Sequence, residues 1–196
     1  MLKFQNKHAS FETRNQLIAD RLPHENSWVL DVGSNTGHTT KFLGGLGHFA
    51  IGVEKMEEEY KAARKIAGDT SAFLHAGVSP SFFANSPQWS AILLLSVLHR
   101  IYAFEGESFM RSVLGECAKK TDDLFVEGST RHARYKDQGQ PAPDFVELDV
   151  TSADNWHEAL FAQVLGAAWE LQSKHVLEHT KKEPHRILYH LSKKKP

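Results

Sequence analysis

Apolar positions along the chain alternate between helical stripes and short β-like runs. Phe11, Leu17, Ile18 and Leu22 recur at helical spacing after Ser10, and Pro23 stops that segment. A β-rich run over 27–32 follows and ends at Gly33. Residues 37–43 then read as a helix closed by Gly44 and Gly45, and 50–54 as a second strand. Helix resumes over 57–66, where Glu57, Glu58 and Glu59 suit the positive end of a helix dipole. Residues 71–75 predict a third strand, and Pro80 and Pro87 bracket a short helix or loop.

The strongest strand signal lies over 89–96. Its Ala-Ile-Leu-Leu-Leu core looks buried on both faces, as central parallel strands are. A helix over 105–119 turns Phe109, Val113, Leu114 and Cys117 inward, and 123–127 reads as a fifth strand. Residues 128–143 are irregular, with Gly139, Pro141 and Pro143 among polar side chains. Helix returns over 153–165. Two strands, 169–178 and 186–191, then close the chain around a polar turn over 180–184. Alternating strands and helices imply a parallel sheet covered on both faces. The closing hairpin adds an antiparallel strand.

Composition narrows the class. A length of 196 residues with 41% apolar content fits one globular domain over 1–196, with 1–26 as a helical lead-in. The net charge is -1, so no global field draws the protein to nucleic acid or a membrane surface. A single cysteine, Cys117, excludes a disulfide framework within the chain and argues against a thiolate zinc cluster. Its amphipathic setting beside Leu114 reads as a small buried residue. The first residues lack the apolar core of a signal peptide, and the run 91–98 is too short to span a bilayer, so a cytoplasmic protein is expected.

Candidate chemistry concentrates in Val29-Leu30-Asp31-Val32-Gly33-Ser34-Asn35-Thr36-Gly37. A buried strand ends in a glycine turn and feeds a helix whose free N–H groups face the strand's carboxyl end, the usual ligand crevice of open α/β sheets. The spacing is G-x-x-x-G, with Asn35 where a dinucleotide loop carries its second glycine. The ligand's central part need not be a pyrophosphate, and Asp31 suits a cationic ammonium. Glu54 closes the second strand about twenty residues further on, where an acid can accept both hydroxyls of a ribose. The bland alternative is a strand-end acid pointing at water.

These segments, with Leu95-Ser96-Val97-Leu98-His99-Arg100, resemble the class I S-adenosylmethionine-dependent methyltransferases over nearly the whole chain. The resemblance implies an α/β fold, a Rossmann-like three-layer sandwich whose seven-stranded, mostly parallel sheet has an antiparallel last strand. It further implies S-adenosyl-L-methionine as cofactor. Asp31, Gly33, Ser34, Asn35 and Gly37 would hold its methionine part and Glu54 its ribose. Met56 would pack on the adenine, with His75, Ala76 and Gly77 bordering it, and Ser96 would lie near the sulfonium. The sequence departs at one point: many members carry an acid just after the third strand, and His75-Ala76-Gly77 offers none.

Methyl transfer from a sulfonium is an in-line displacement, so positioning dominates, worth effective concentrations on the order of 10⁵–10⁸ M. A base helps when the acceptor must lose a proton. His99, just past the fourth strand, is the leading candidate, and Glu127, at the end of the fifth, is the second. Each has a plainer reading, His99 as packing at the crevice rim and Glu127 as structural. Arg100 and Tyr102 are placed to shape an acceptor pocket, and Arg14 to reach the cofactor carboxylate. Arg131, His132, Arg134, Tyr135 and Lys136 make the substrate-side loop over 128–145 locally basic, suited to an anionic acceptor or simply solvated. Among the 12 histidines no pair shows the helical H-E-x-x-H arrangement, and His175 and His179 flank a predicted strand end and need not share a face, so no metal is expected. The terminal lysines read as a solvated tail, which gives nucleic-acid binding only weak support. The expected function is methyl transfer to an O or N nucleophile of a small-molecule or sugar-containing acceptor. A tRNA or protein acceptor would need a partner to recognise it. The alternatives are a non-catalytic methyltransferase-like binding subunit and a nicotinamide-dependent oxidoreductase.

Overall fold

A computed structural model of the protein describes residues 2–129, 150–179 and 184–195. Helix α1 (Leu2–Ala19) leads into β1 (Trp28–Val32), α2 (His38–Gly45), β2 (Phe49–Glu54), α3 (Glu57–Arg64), β3 (Ser71–His75) and α4 (Pro80–Ala84). The second half runs β4 (Ala91–Leu95), α5 (Leu98–Glu105), α6 (Glu107–Lys119), β5 (Asp123–Ser129), α7 (Val150–Leu165), β6 (Trp169–His179) and β7 (Pro184–Lys193).

The strands form one sheet in the order β3-β2-β1-β4-β5-β7-β6. β1 pairs in parallel with both β2 and β4, so the chain reverses its progress across the sheet between them. That reversal opens a crevice outside the carboxyl ends of β1 and β4. β7 runs antiparallel to both β5 and β6. This is the three-layer, mostly parallel architecture with a reversed last strand that the sequence pattern predicts.

Strand alternation sorts the core into two layers. Leu30, Val32, Val53, Ile92, Leu94, Leu124 and Val126 face Phe83, Tyr102, Met110, Val113, Leu114, Leu160 and Phe161, contributed by α4, α5, α6 and α7. Val29, Ala50, Leu93, Leu95, Phe125 and Leu188 face the other way, against Ile18 of α1 and Leu43 of α2. Cys117 is fully buried in the first layer, and burial pushes its thiol well up, so it packs as a small apolar residue.

Several elements depart from the sequence expectation. α1 begins well before Ser10: Lys3, Gln5, Lys7 and Ala9 are good helix formers without an apolar stripe, so periodicity does not see them. β4 stops at Leu95, because Ser96 takes a left-handed φ of 54°, and α5 starts where a strand end is expected. Gly106, at φ 85°, then separates α5 from α6, so the helix expected over 105–119 is the second of two. α7 starts at Val150, three residues early by a pattern that begins at Ala153. The basic residues Arg131, His132, Arg134, Tyr135 and Lys136 and the turn over 180–183 lie outside the described residues. On the far edge, β6 carries register shifts against β7, the first between Leu171 and Ser173.

One glycine ties the core to the crevice. Gly52, mid-strand in β2, lies beside Phe73 and below Ser34. A Cβ there would stand 2.6 Å from Phe73 Cδ1 and 2.6 Å from Ser34 Oγ. Gly52→Ala is therefore expected to lower the unfolding free energy by about 1–3 kcal/mol, the range for overpacking a tight interior. The measurement is the urea midpoint at unchanged slope. A parent-like midpoint would mean that Phe73 and Ser34 yield freely.

Candidate functional site

The segment after β1 is held against β2 by backbone bonds. Gly33 and Ser34 both donate to the Val53 carbonyl, at 2.8 and 3.1 Å, and Gly37 donates to Ser34 at 2.9 Å. Gly33, Asn35 and Gly37 take φ values of 70°, 51° and 81°. Alternation of this kind gathers successive N–H groups into a concavity. Asn is among the few side-chain-bearing residues that visit this region readily. Gly37 needs its missing side chain for a second reason: a Cβ would stand 2.5 Å from Phe73 Cζ.

Two carboxylates flank the loop. Asp31 is 2% exposed and accepts a 2.7 Å bond from Thr40 Oγ1 on α2. Burial raises its pKa; the Thr40 bond and Arg14 oppose that rise, Glu54 adds to it, and the net shift is upward. Glu54 lies across the loop. It accepts the Asn35 N–H at 2.8 Å and the Met56 N–H, also at 2.8 Å. Its carboxylate is thereby aimed by two main-chain donors, one in the glycine loop and one at the start of α3.

The outer, β3 side of the crevice is more open. Met56 is 58% exposed beside Glu54. His75 stacks on Tyr60 at 4.9 Å between centroids, with its Nε2 lying 3.1 Å from the Lys55 carbonyl oxygen. Ala76 donates its N–H to the Glu54 carbonyl at 3.0 Å, and Gly77 is exposed.

The β4 and β5 side is polar, buried and ionic. Ser96 donates its hydroxyl to Glu127 Oε1, which also receives Arg186 Nη1 at 3.2 Å. Glu127 Oε2 receives Arg14 Nη1 at 2.9 Å. Arg14 Nη2 reaches Thr39 Oγ1 at 2.7 Å and Asn15 Oδ1 at 3.1 Å. Glu127 is 1% exposed. Burial alone would raise its pKa, but Arg14, Ser96 and Arg186 outweigh it and hold the carboxyl below the ordinary range. His99 is buried in the first turn of α5. Tyr102 belongs to the core layer and Arg100 is exposed.

Asp31, Gly33, Ser34, Asn35, Gly37, Glu54, Met56, Ser96 and Glu127 therefore converge at the carboxyl ends of four strands. Within that group Ser34 turns its hydroxyl inward over Gly52, where it is buried without a hydrogen-bond partner. Arg14, expected to reach a cofactor carboxylate, spends its guanidinium on Glu127, Thr39 and Asn15. Pattern reading missed Thr39, Thr40, Asn15 and Arg186. The available signal was a Thr-Thr pair in the first turn after the glycine loop. Among the described residues no group of His, Cys, Asp and Glu is arranged to hold a metal ion, and no helix is long and apolar enough to cross a membrane.

No family model and no curated protein matches the sequence. Solved structures do match in shape. Magnesium protoporphyrin IX methyltransferase (ChlM) from Synechocystis PCC 6803, crystallised with bound SAM, superposes with a TM-score of 0.68 at 10% identity, over 97% of this chain and 83% of that one. WbdD, a bifunctional kinase-methyltransferase, gives 0.67 at 20% identity over 92% of this chain, which spans 40% of WbdD. EvdMO1 gives 0.62 at 16% identity, over 92% of this chain and 40% of that one. The fold is that of the class I S-adenosylmethionine-dependent methyltransferases, as the resemblance in sequence implies.

Two of the buried acids, Asp31 and Glu127, predict opposite responses. Asp31 binds protons more tightly folded than unfolded, so it opposes folding at neutral pH and that cost fades as pH falls toward 3.8. Glu127 binds them less tightly folded, so its contribution is present above 4.5 and is lost as pH falls through its folded value. At pH 7, Asp31→Asn is expected to stabilise the protein. Glu127→Gln is expected to cost about 3–5 kcal/mol by leaving buried arginines without their counter-ion. Urea unfolding at stepwise lower pH checks both; parallel shifts in the two variants would contradict the assignment.

Proposed function

We propose that the protein is an S-adenosylmethionine-dependent methyltransferase acting on an O or N nucleophile of a small-molecule or sugar-containing acceptor. The observation that carries this reading is the pairing of the glycine loop with Glu54. A carboxylate aimed by the Asn35 and Met56 N–H groups stands at the crevice where a ribose diol would donate both hydroxyls to it. The donor set fits the group. Gly33 has no room for a side chain, since a Cβ there would meet Val97 Cγ2 at 2.9 Å, and its φ of 70° favours glycine as well. Asp31 and Glu54 give that end of the crevice a negative field suited to a cationic ligand.

When bound, the cofactor supplies a methyl group on a positively charged sulfur, a leaving group that needs no protonation. The remaining work falls to the chain. Asp31 would attract the ammonium of the methionine part, and the loop N–H groups would suit its carboxylate. Glu54 would hold the ribose, and Met56, Ala76 and Gly77 the adenine. Ser96 would border the reacting end of the cofactor. His99 takes the proton of an acceptor that must lose one, or orients the acceptor where none is lost. Glu127, whose oxygens are engaged by Ser96, Arg14 and Arg186, serves the site as a fixed anion. A small acceptor is in keeping with the protoporphyrin substrate named for ChlM.

Calorimetric titration with S-adenosylmethionine and with S-adenosylhomocysteine tests the reading. Both are expected to bind, and Glu54→Ala is expected to weaken binding by about 1–3 kcal/mol, the scale of a lost charge-assisted bond. No heat with either ligand on folded protein would end it; an unchanged affinity in Glu54→Ala would remove Glu54 from the ribose role.

A further inference from the structure

A closed circuit of contacts borders one side of the crevice. Arg14 on α1 joins Thr39 of α2 at 2.7 Å to Glu127 of β5 at 2.9 Å. Glu127 then holds Ser96 twice: its carboxylate receives the Ser96 hydroxyl, and its carbonyl receives the Ser96 N–H at 3.2 Å. Ser96 sits at φ 54°, which a residue with a side chain keeps only when its surroundings over-determine it. The next residue, Val97, presses on Gly33, with Cγ2 2.9 Å from where a Cβ would be. From Gly33 the loop runs on to α2 and Thr39, closing the circuit.

All three guanidinium nitrogens of Arg14 are occupied within the protein: Nη1 by Glu127, Nη2 by Thr39 and Asn15, and Nε by Asn15 at 3.3 Å. Arg14 thus acts on the crevice through other residues. Arg186 also reaches Glu127, but from β7 at 3.2 Å and on the opposite oxygen. Without Arg14, the Glu127 carboxylate keeps a counter-ion yet loses its tie to α1 and α2.

We propose that Arg14 is a positioning residue which, acting through Glu127 on Ser96, sets where the turn after β4 meets the glycine loop and so the shape of the cofactor crevice. The proposal rests on the methyltransferase reading. It makes the N-terminal helix part of the ligand site although no side chain of that helix need touch the ligand.

The test is calorimetric titration of S-adenosylhomocysteine into the full chain and into Arg14→Gln, Arg14→Lys, Ser96→Ala and the Arg14→Gln/Ser96→Ala double variant. Ser96→Ala cuts the circuit by one hydroxyl and leaves the buried ion pair whole, so it stays informative if Arg14→Gln folds poorly. Arg14→Gln and Ser96→Ala are each expected to weaken binding about tenfold, and the double variant no further than about twofold beyond the weaker single, because both break one circuit. Arg14→Lys should recover most of the affinity. Amide exchange at residues 96 and 97 should quicken in both single variants. A purely structural arginine would instead lower the urea midpoint while folded variants bind as the parent does. Parent-like affinity in Ser96→Ala, or losses that multiply to about a hundredfold in the double variant, would overturn the proposal. If the parent itself gives no heat, the methyltransferase reading fails and the proposal with it. If the parent binds and the variants match it, only the circuit fails.

Discussion

Glu127 carries a full negative charge where almost no water reaches it. A charge in that position must be paired, since desolvation otherwise costs several kcal/mol. The chain meets the demand with cations from its two ends, Arg14 from the first helix and Arg186 from the last strand. The sheet beneath is apolar on both faces, and its central strands would pack against many helices. The buried carboxylate selects one arrangement, the one that brings α1, β7 and the end of β4 to a common point. The crevice walls follow from that selection.

The same layer holds a second buried acid under opposite terms. Asp31 has a hydroxyl donor in Thr40 and a more distant arginine, and its carboxyl is raised. Glu127 has direct contact with two guanidinium groups and is lowered. One acid is held by opposite charge; the other is held at a cost in stability.

Local pattern made the strands, the glycine turn and Glu54 legible, because each depends on neighbours within a few residues or on one predictable strand-to-strand step. Asn35 was legible as the residue standing in a glycine position; its positive φ came from the structure. The Arg14–Glu127 pair was not. Its partners lie 113 residues apart, and Glu127 and Arg186 lie 59 apart, so no spacing rule connects them. Arg14 therefore read as a ligand contact and Glu127 as a candidate base. The early start of α1 escaped for a different reason: helix propensity without an amphipathic stripe leaves no periodic trace. α5 escaped because a left-handed serine, a rare strand terminator, ends β4 one residue earlier than the apolar run suggests.

The register shifts of β6 bear on solubility. Among the described residues β6 is the longest strand and lies at the margin of the sheet, with no further strand beyond it. A straight, apolar rail of that length would template the addition of foreign strands and seed aggregation. The irregularity between Leu171 and Ser173 twists the rail, and the exposed Glu170 and Lys174 place charge beside it. Deleting Gln172 would remove the first of these shifts and, by the same step, give the molecule a stickier border.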